Sequence, residues 1–301
     1  MWIKEPTRIN DHIEFLGTHE LCFYLIHGDD AMIIDGGMSH ATPALEEQFA
    51  RLDIDPAVVK YALVTHSHFD HCGAVPYFRQ RFPNVQILGT EPAREALANE
   101  KIVNYNAKIN DKAANDLGFG DACEPIADRT DELKIDTVIS DGDMLDLGQG
   151  IVAEFYQVPG HSKCCVATYL PRFKALFPTD TTPHPVSEWT NLTFPSAQHS
   201  FVEYVESLKR LNRFAVEILG LDHHGVLTGE DAQEFLAMGL QRTLLFEERV
   251  LKRYEETGDL DMVAKELTHE EFERVRLPFI TEDLFFLITK AMLKRIVGLK
   301  K

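Results

Sequence analysis

Short apolar runs alternate with longer amphipathic stretches along the first three-quarters of the chain. The runs from Leu21 to His27 and from Ala31 to Asp35, joined at Gly28-Asp29-Asp30, predict a β-hairpin. Later runs predict strands at 58–64, 84–89, 134–140, 151–158, 166–170 and 175–177, and helices at 41–52, 91–117 and 196–211. This order, in two halves, predicts an α/β fold in which two sheets pack between two helical layers, a four-layer αββα sandwich.

The pattern changes after residue 228, because every later element is predicted to be helical. Thr268 and Glu271 have the spacing of a capping box, and Thr281 is expected to begin the last helix. We therefore predict one domain at 1–228 and an all-helical extension at 229–301.

Two compatible interpretations of this extension remain open. Its apolar stripes pack on the domain or on a second subunit, which would make the protein a homodimer. Alternatively, the extension lies over the functional site and shapes a pocket for a bulky substrate, with Phe279, Phe285 and Phe286 as lining.

The strongest chemical signal is the sequence His66-Ser67-His68-Phe69-Asp70-His71, which holds three imidazoles and one carboxylate within six positions. With 13 histidines in 301 residues, three at these offsets would occur by chance roughly 0.02 times in such a chain. Histidine and aspartate supply the nitrogen and oxygen ligands of zinc, iron and manganese, and clusters without thiolate are typical of a reactive metal.

The cluster lies between the strand predicted at 58–64 and a helix predicted to begin at residues 73–79, and this strand-to-helix turn predicts two metal ions. In the extended part, His66 and His68 point to the same side and would bind one ion. Where the chain turns into the helix, Asp70 and His71 would face a neighbouring ion.

Further ligand candidates directly follow later apolar runs. They are His161 after 155–160, Asp180 after 175–179, and His223 and His224 after 216–222. Asp35 ends the second strand of the predicted hairpin, where a carboxylate would orient a ligand imidazole through a hydrogen bond; the alternative for Asp35 is a plain Asp-Gly turn.

The order of these motifs resembles the metallo-β-lactamase-fold superfamily over roughly residues 12 to 230. By position the resemblance implies the following residues: His66, His68 and His161 on one metal, Asp70, His71 and His224 on the other, Asp180 as the bridge, and Asp35 as a hydrogen-bond partner of a ligand.

The chain departs from the family pattern at two of these ligands. Asp180 follows Thr179 where the family usually has Gly, and Leu221-Asp222-His223-His224-Gly225 replaces the common Pro-Gly-His-Gly. His223 is therefore an alternative last ligand or a hydrogen-bond partner beside it. Ser-Lys-Cys-Cys after His161 argues against the lactamase and glyoxalase branches.

The composition narrows the functional class. A formal charge of −18 argues against a nucleic-acid partner, since such binding depends on Lys and Arg releasing counterions. The five cysteines show no CxxC pattern, so a reducing cytoplasm without a disulfide framework is expected. The sequence shows neither an apolar signal core nor a run of about 20 apolar residues, so no membrane association is expected.

The predicted centre is that of a hydrolase. Two zinc or iron ions, or manganese, would hold a hydroxide at neutral pH, and Asp70 would also serve as the catalytic proton acceptor. No acid for the leaving group is evident beside the motifs, which favours a thioester or an activated ester over an amide, because a thiolate departs readily.

The chain also resembles a narrower group, the quinolone-signal-response thioesterases. The likeness rests on the run Thr65 to Tyr77, on Gly160-His161-Ser162, on total length and on the helical extension. It implies an aromatic β-keto acyl-coenzyme A substrate and a site that accepts iron as well as zinc. Binding the coenzyme's phosphates would require basic residues near the entrance of the active site. The candidates are Arg79, Arg81, Lys101 and Lys108.

Other functions remain open on the same residues. A lactonase or phosphodiesterase would use the same metals. A di-iron redox or oxygen-binding protein is disfavoured, because related electron carriers often have Glu where His68 stands. A regulatory protein that binds a partner, with secondary catalysis, is the last alternative.

Overall fold

A computed structural model describes residues 1–275 and 278–298. Within them the chain forms two seven-stranded sheets. The first sheet contains, in spatial order, β2 (Thr7–Asn10), β3 (Ile13–Gly17), β4 (Cys22–His27), β5 (Ala31–Ile34), β6 (Val59–Leu63), β7 (Gln86–Gly89) and β8 (Thr137–Val138). The second contains β1 (Trp2–Ile3), β14 (Val226–Thr228), β13 (Ile218–Gly220), β12 (Ala175–Phe177), β11 (Val166–Leu170), β10 (Val152–Gln157) and β9 (Met144–Asp146).

Strand direction brings the predicted motifs to one edge. In the first sheet, strands β5 to β8 run parallel, and in the second, β12 and β13 form a parallel pair. Asp35 follows β5, His66 follows β6, Asp180 follows β12 and His223 follows β13. The carboxyl ends of these strands therefore carry the candidate site.

Helices cover both outer faces of the paired sheets. They are α1 (Thr42–Leu52), α2 (Val75–Arg81), α3 (Glu91–Leu97), α4 (Glu100–Asp116), α5 (Phe201–Leu211), α6 (Glu230–Thr257), α7 (Leu260–Val275) and α8 (Glu282–Gly298). Phe15, Tyr24, Phe155 and Phe177 fill the space between the sheets. Separate apolar layers lie under α1, α2 and α4 on one side and under α5 and α6 on the other. The αββα sandwich predicted from the sequence is confirmed.

The extension predicted at 229–301 consists of α6, α7 and α8, while residues 276–277 and 299–301 lie outside the described part of the chain. Its helices share a core in which Phe246, Leu267 and Leu293 pack with Phe201 of α5. None of the helices in the described residues is both long enough and apolar enough to cross a bilayer.

Two predicted helices differ from the structure. The helix predicted at 91–117 is divided into α3, which ends at Leu97, and α4, for which Asn99 is the cap and accepts a hydrogen bond from Lys101 N at 3.0 Å. The helix predicted at 196–211 begins only at Phe201, where Ser200 is the cap. Residues 196–199 instead cross the candidate site, where the Ser196 carbonyl contacts His161.

The capping box predicted at Thr268 and Glu271 is wrong. Both residues lie inside α7 and are buried, and Glu271 forms an ion pair with Arg274. The spacing that resembles a cap therefore reflects a buried tertiary contact. The cap at Thr281 is confirmed, since its hydroxyl accepts a hydrogen bond from Leu284 N at 3.3 Å.

Candidate metal centre

Three imidazoles form the first group of donors. His66 Nε2 lies 3.2 Å from His68 Nδ1, and His161 Nε2 lies 3.1 Å and 2.9 Å from these two atoms. Nitrogen ligands of a tetrahedral zinc, each bound at about 2.0–2.1 Å, are separated by about 3.3 Å. The three nitrogens therefore converge at a spacing close to that of ligands sharing one ion.

Asp70, His71 and His223 form a second group beside the first. Asp70 Oδ2 lies 3.7 Å from His71 Nε2 and 3.8 Å from His223 Nε2. All three side chains are buried. Asp180 lies between the groups, with Oδ2 3.3 Å from His161 Nε2 and 3.4 Å from His71 Nε2.

Several of these imidazoles are held through the nitrogen that points away from the centre. His161 Nδ1 lies 2.7 Å from the Ser196 carbonyl, and His223 Nδ1 lies 2.5 Å from the Glu20 carbonyl. A carbonyl oxygen only accepts, so both Nδ1 atoms carry the proton and both Nε2 atoms present a lone pair to the centre.

Asp35 holds the imidazole of His71 in the same way. Its Oδ1 lies 3.0 Å from His71 Nδ1 and also accepts a hydrogen bond from the Thr65 hydroxyl at 2.8 Å. Asp35 is fully buried and has a φ of 81°, so the strand ends here in a left-handed turn that directs the carboxylate inward.

The structure places His223, and not His224, in the second group. His224 Nδ1 faces His19 Nε2 at 3.4 Å, and its backbone N donates to the His19 carbonyl at 2.6 Å. Its φ of 71° turns consecutive side chains in different directions, so only one of the two histidines can face Asp70. His223, the alternative drawn from the sequence, is therefore the histidine that lies with Asp70 and His71, and its role as the last ligand in place of His224 stays a prediction.

Two residues that the sequence analysis did not select also belong to this region. Asp222 Oδ2 lies 3.4 Å from His71 Nδ1 and accepts a hydrogen bond from Thr65 at 3.2 Å. His184 Nε2 lies 3.3 Å from Asp180 Oδ1. Asp222 directly precedes His223, and His184 follows Asp180 by four residues, so proximity to a selected ligand was the available signal.

Burial controls the protonation of the first group. It lowers the pKa of His68 to about 4 and of His161 to about 3, and it holds the pKa of His66 well below its ordinary value. These imidazoles are neutral at pH 7, as metal ligands must be.

The pKa of His71 is shifted in the opposite direction. Burial alone would lower its pKa, but the carboxylates of Asp35, Asp70 and Asp180 raise it well above the ordinary value. Every ion pair of these carboxylates in the described part of the chain is made with histidine. The buried negative charge is thus arranged around imidazoles, without a Lys or Arg partner among the described residues.

These features fit a divalent metal site. Within the described residues, the buried atoms His71 Nε2, Asp180 Oδ1 and His184 Nε2 lie at ion-pair distance from one another's side chains but form no hydrogen bond of good geometry. Unpartnered buried polar atoms are costly unless another group satisfies them, and a cation between imidazole lone pairs and carboxylates does so.

A cavity of about 240 Å³ opens onto the centre. His68, Asp70, His161, Asp180 and His223 lie in its wall. Its apolar surface comes largely from the extension, through Ile280, Leu284, Phe285, Ile288 and Met292.

Not every expected lining residue contributes to this cavity. Of the three phenylalanines proposed from the sequence, Phe285 lines it, whereas Phe279 packs beside His223 with ring centroids 6.1 Å apart and Phe286 packs within the extension. Arg79 and Arg81 form ion pairs with Asp136 and Glu46 and are not part of the wall.

Comparison with known proteins agrees with this geometry. A family profile described as "Metallo-beta-lactamase superfamily" matches residues 17–223. A metallo-beta-lactamase family protein from Thermus thermophilus superposes with a TM-score of 0.65 at 19% identity, covering 97% of this chain and 95% of that protein. A protein of the same superfamily from Sulfolobus tokodaii gives a TM-score of 0.59 at 20% identity, covering 77% of this chain and 86% of that one.

Similarity to curated proteins is local. The hydroxyacylglutathione hydrolase of Aliivibrio fischeri is 37% identical over 70 residues, which is 23% of this chain and 25% of that enzyme. The chain thus matches only a quarter of the length of this relative. The profile match covers most of the chain, including both groups of candidate donors, and the chain belongs to the metallo-beta-lactamase superfamily.

Proposed function

We propose that this protein is a binuclear metal-dependent hydrolase that cleaves a thioester with an apolar acyl group. The observation that carries the proposal is the position of Asp180, whose Oδ2 lies within 3.4 Å of an imidazole nitrogen from each donor group. Such a carboxylate is placed to bridge two ions.

The proposed ligand sets follow the two groups. His66, His68 and His161 would hold one ion, Asp70, His71 and His223 would hold the other, and Asp180 would be shared between the two groups. When bound, the metal pair supplies an activated water and polarises the substrate carbonyl. Zinc, iron and manganese all accept these ligands.

Asp35 and Asp222 would orient His71, and His184 would hold Asp180 by an ion pair at Oδ1, the oxygen that also lies 3.7 Å from His223 Nε2. Removal of such supporting groups typically lowers metal affinity by about 10- to 100-fold. These residues are assigned positioning roles, since their contacts are with ligand side chains.

Asp70 is the proposed proton acceptor. Its carboxylate lies in the cavity wall and is 7% exposed, so it faces the position of the substrate. Its carboxylate would accept the proton that the attacking water loses.

A thioester suits this site because its leaving group needs little protonation. A thiol has a pKa of about 8.5, so the thiolate departs without a strong acid. The local similarity to hydroxyacylglutathione hydrolase, which acts on a thioester, supports the same class.

The cavity indicates the chemistry of the acyl group. Apolar side chains of α8 face the centre across the pocket, and they would exclude water from a hydrophobic chain or ring.

Tyr105 lines the cavity and is 54% exposed, so it lies at the entrance of the cavity. Lys101 and Lys108, one helical turn on either side of Tyr105, share its face of α4 and are exposed, which suits the phosphates of a coenzyme A leaving group.

The test is a comparison of substrates with the reconstituted protein. Acyl-coenzyme A thioesters with aromatic and aliphatic acyl groups should be hydrolysed, and their oxygen-ester counterparts should react roughly 100-fold more slowly for lack of an acid. Asp70→Asn should abolish turnover, and Asp116→Asn, the same change on the exposed end of α4, should not.

If the protein hydrolyses lactones or phosphodiesters but not thioesters, the proposed thioester substrate is wrong. The protein would then be a lactonase or a phosphodiesterase that uses the same metals. A coloured protein that cycles between oxidation states and hydrolyses none of these compounds would favour the redox alternative. Biological activity that survives Asp70→Asn would favour the regulatory, partner-binding alternative.

A further inference from the structure

The segment 183–200, between Asp180 and α5, connects the extension to the metal centre. Its first part is a small hairpin, in which Thr193 N donates to the His184 carbonyl at 2.8 Å and His184 N donates to the Thr193 hydroxyl at 2.9 Å. Its second part crosses the cavity and presents the Ser196 carbonyl to His161 Nδ1 at 2.7 Å. The position of this segment therefore fixes the orientation of His161.

Helix α7 holds the segment through two charged side chains. Glu271 Oε1 accepts a hydrogen bond from Phe194 N at 2.9 Å. Arg274 pairs with Glu271 and donates from Nη2 to Asn191 Oδ1 at 2.7 Å and to the Leu192 carbonyl at 3.2 Å.

The other two helices of the extension, α6 and α8, hold Phe194 by aromatic packing. The Phe194 ring stacks on Phe246 of α6, with centroids 5.1 Å apart and planes at 23°. It also contacts Phe285 of α8, with centroids 5.7 Å apart. Phe194 is thus held through both its backbone and its ring, two residues before Ser196.

The side chain of Glu271 is only 3% exposed, and burial raises the pKa of its carboxyl group. A buried carboxylate is retained at a cost unless its hydrogen bonds compensate. Among the described residues, each side-chain hydrogen bond of Glu271 and Arg274 is made with the segment or within the pair. Charge-assisted bonds of this kind fix geometry more tightly than apolar contacts.

We propose that the Glu271–Arg274 pair is a positioning device for the metal site, acting through the segment 191–196 on the imidazole of His161. By holding the Ser196 carbonyl in place, the pair keeps the proton of His161 on Nδ1 and aims Nε2 at His66 and His68. The extension therefore contributes to metal binding as well as to the pocket wall. This inference rests on the proposed metal site.

The chain offers closely matched controls. Glu270 and Arg249 form an ion pair between α7 and α6 with about half of each side chain exposed (48% and 53%), and within the described residues neither forms a hydrogen bond or ion pair with the segment 183–200. Glu271→Ala is compared with Glu270→Ala, and Arg274→Met is compared with Arg249→Met. Glu271→Gln retains an acceptor for Phe194 N and serves as the conservative variant.

The measurement is a titration of each metal-depleted protein with Co²⁺, which gives both affinity and the ligand-field absorption spectrum. Glu271→Ala and Arg274→Met should weaken the binding of one ion by about tenfold and change the cobalt spectrum. Glu271→Gln should recover most of the affinity, and the Glu270 and Arg249 variants should match the unchanged protein.

Wild-type affinity and spectrum in folded Glu271→Ala and Arg274→Met would overturn the inference, even if their melting temperatures fall, because the pair would then only stabilise the extension. If Glu271→Ala does not fold, Arg274→Met decides the question, since Arg274 is 35% exposed. Failure of the unchanged protein to bind Co²⁺ would instead refute the proposed metal site itself, which separates the two claims.

Discussion

Burial and hydrogen bonding prepare the individual histidines for different tasks. His66, His68 and His161 are neutral because burial lowers their pKa values, whereas the carboxylates around His71 raise its pKa. The two donor groups therefore enter metal binding in different protonation states. This difference has consequences that can be measured.

Metal binding should depend on pH at one site and not at the other. Between pH 8 and pH 6 the first group stays neutral, because the pKa values of His68 and His161 are about 4 and about 3. His71 must lose a proton before it can bind, so affinity at its site should fall as the pH is lowered, by up to about tenfold for each unit. Chelator competition titrations at pH 6, 7 and 8 measure both affinities, and equal slopes at the two sites would contradict this assignment.

The neighbouring residues His223 and His224 provide a second test at this scale. His223→Asn should remove one of about two bound ions, because its Nε2 faces Asp70 and Asp180. His224→Asn should retain both, since His224 faces His19 and Asn tolerates its left-handed backbone. Metal analysis of the two proteins distinguishes them; loss of metal only from the His224 variant would restore the original expectation.

At this scale the sequence predicts residue types better than side-chain directions. The HSHFDH turn, His161, Asp180 and Asp35 all lie where their positions after strands indicate. The choice between His223 and His224 depends on one positive φ, which the sequence does not reveal. His184 was missed because its role depends on a hairpin formed with Thr193.

At the scale of elements, α8 provides much of the pocket and so determines which acyl groups fit. Leu284, Phe285 and Ile288 face the cavity, while Leu287 on the opposite side of the helix is 61% exposed. Apolar periodicity predicted this helix and its cap at Thr281. The same reasoning misassigned Thr268 and Glu271, because a capping-box spacing does not distinguish a helix start from a buried contact within a helix.

Two leucines of α8 test the role of the extension in substrate selection. Leu284→Ala should lower kcat/KM for the bulkiest acyl substrate by about tenfold or more, since each methylene contact in an apolar pocket contributes about that much. Leu287→Ala should leave it unchanged, because that side chain faces solvent. Steady-state kinetics on acyl groups of increasing size provides the comparison, and equal effects of the two changes would argue against α8 as the selecting wall.

At the scale of the whole molecule, the two sheets bring ligands from distant parts of the sequence to one edge. The fold was predictable because the strand and helix order is regular and the motif spacing is specific. The contact between the extension and the segment 183–200 was not predictable from the sequence, since it depends on tertiary contacts between residues about 80 positions apart.

A homodimer through the extension stays a prediction. Leu244 and Leu245 on α6 are 38% and 48% exposed, which leaves apolar surface for a second subunit. Light scattering after size exclusion should give twice the mass of one chain, and Leu245→Glu should shift it to the monomer. A monomeric mass for the unchanged protein across micromolar concentrations would exclude the dimer.

The most direct test of the central claim is the metal content per chain. Protein purified without added metal, then reconstituted and dialysed, should contain about two equivalents of zinc, iron or manganese. Asp180→Asn should reduce this content, because its carboxylate faces both donor groups. A content below about one equivalent after reconstitution would contradict the binuclear centre and the hydrolase built on it.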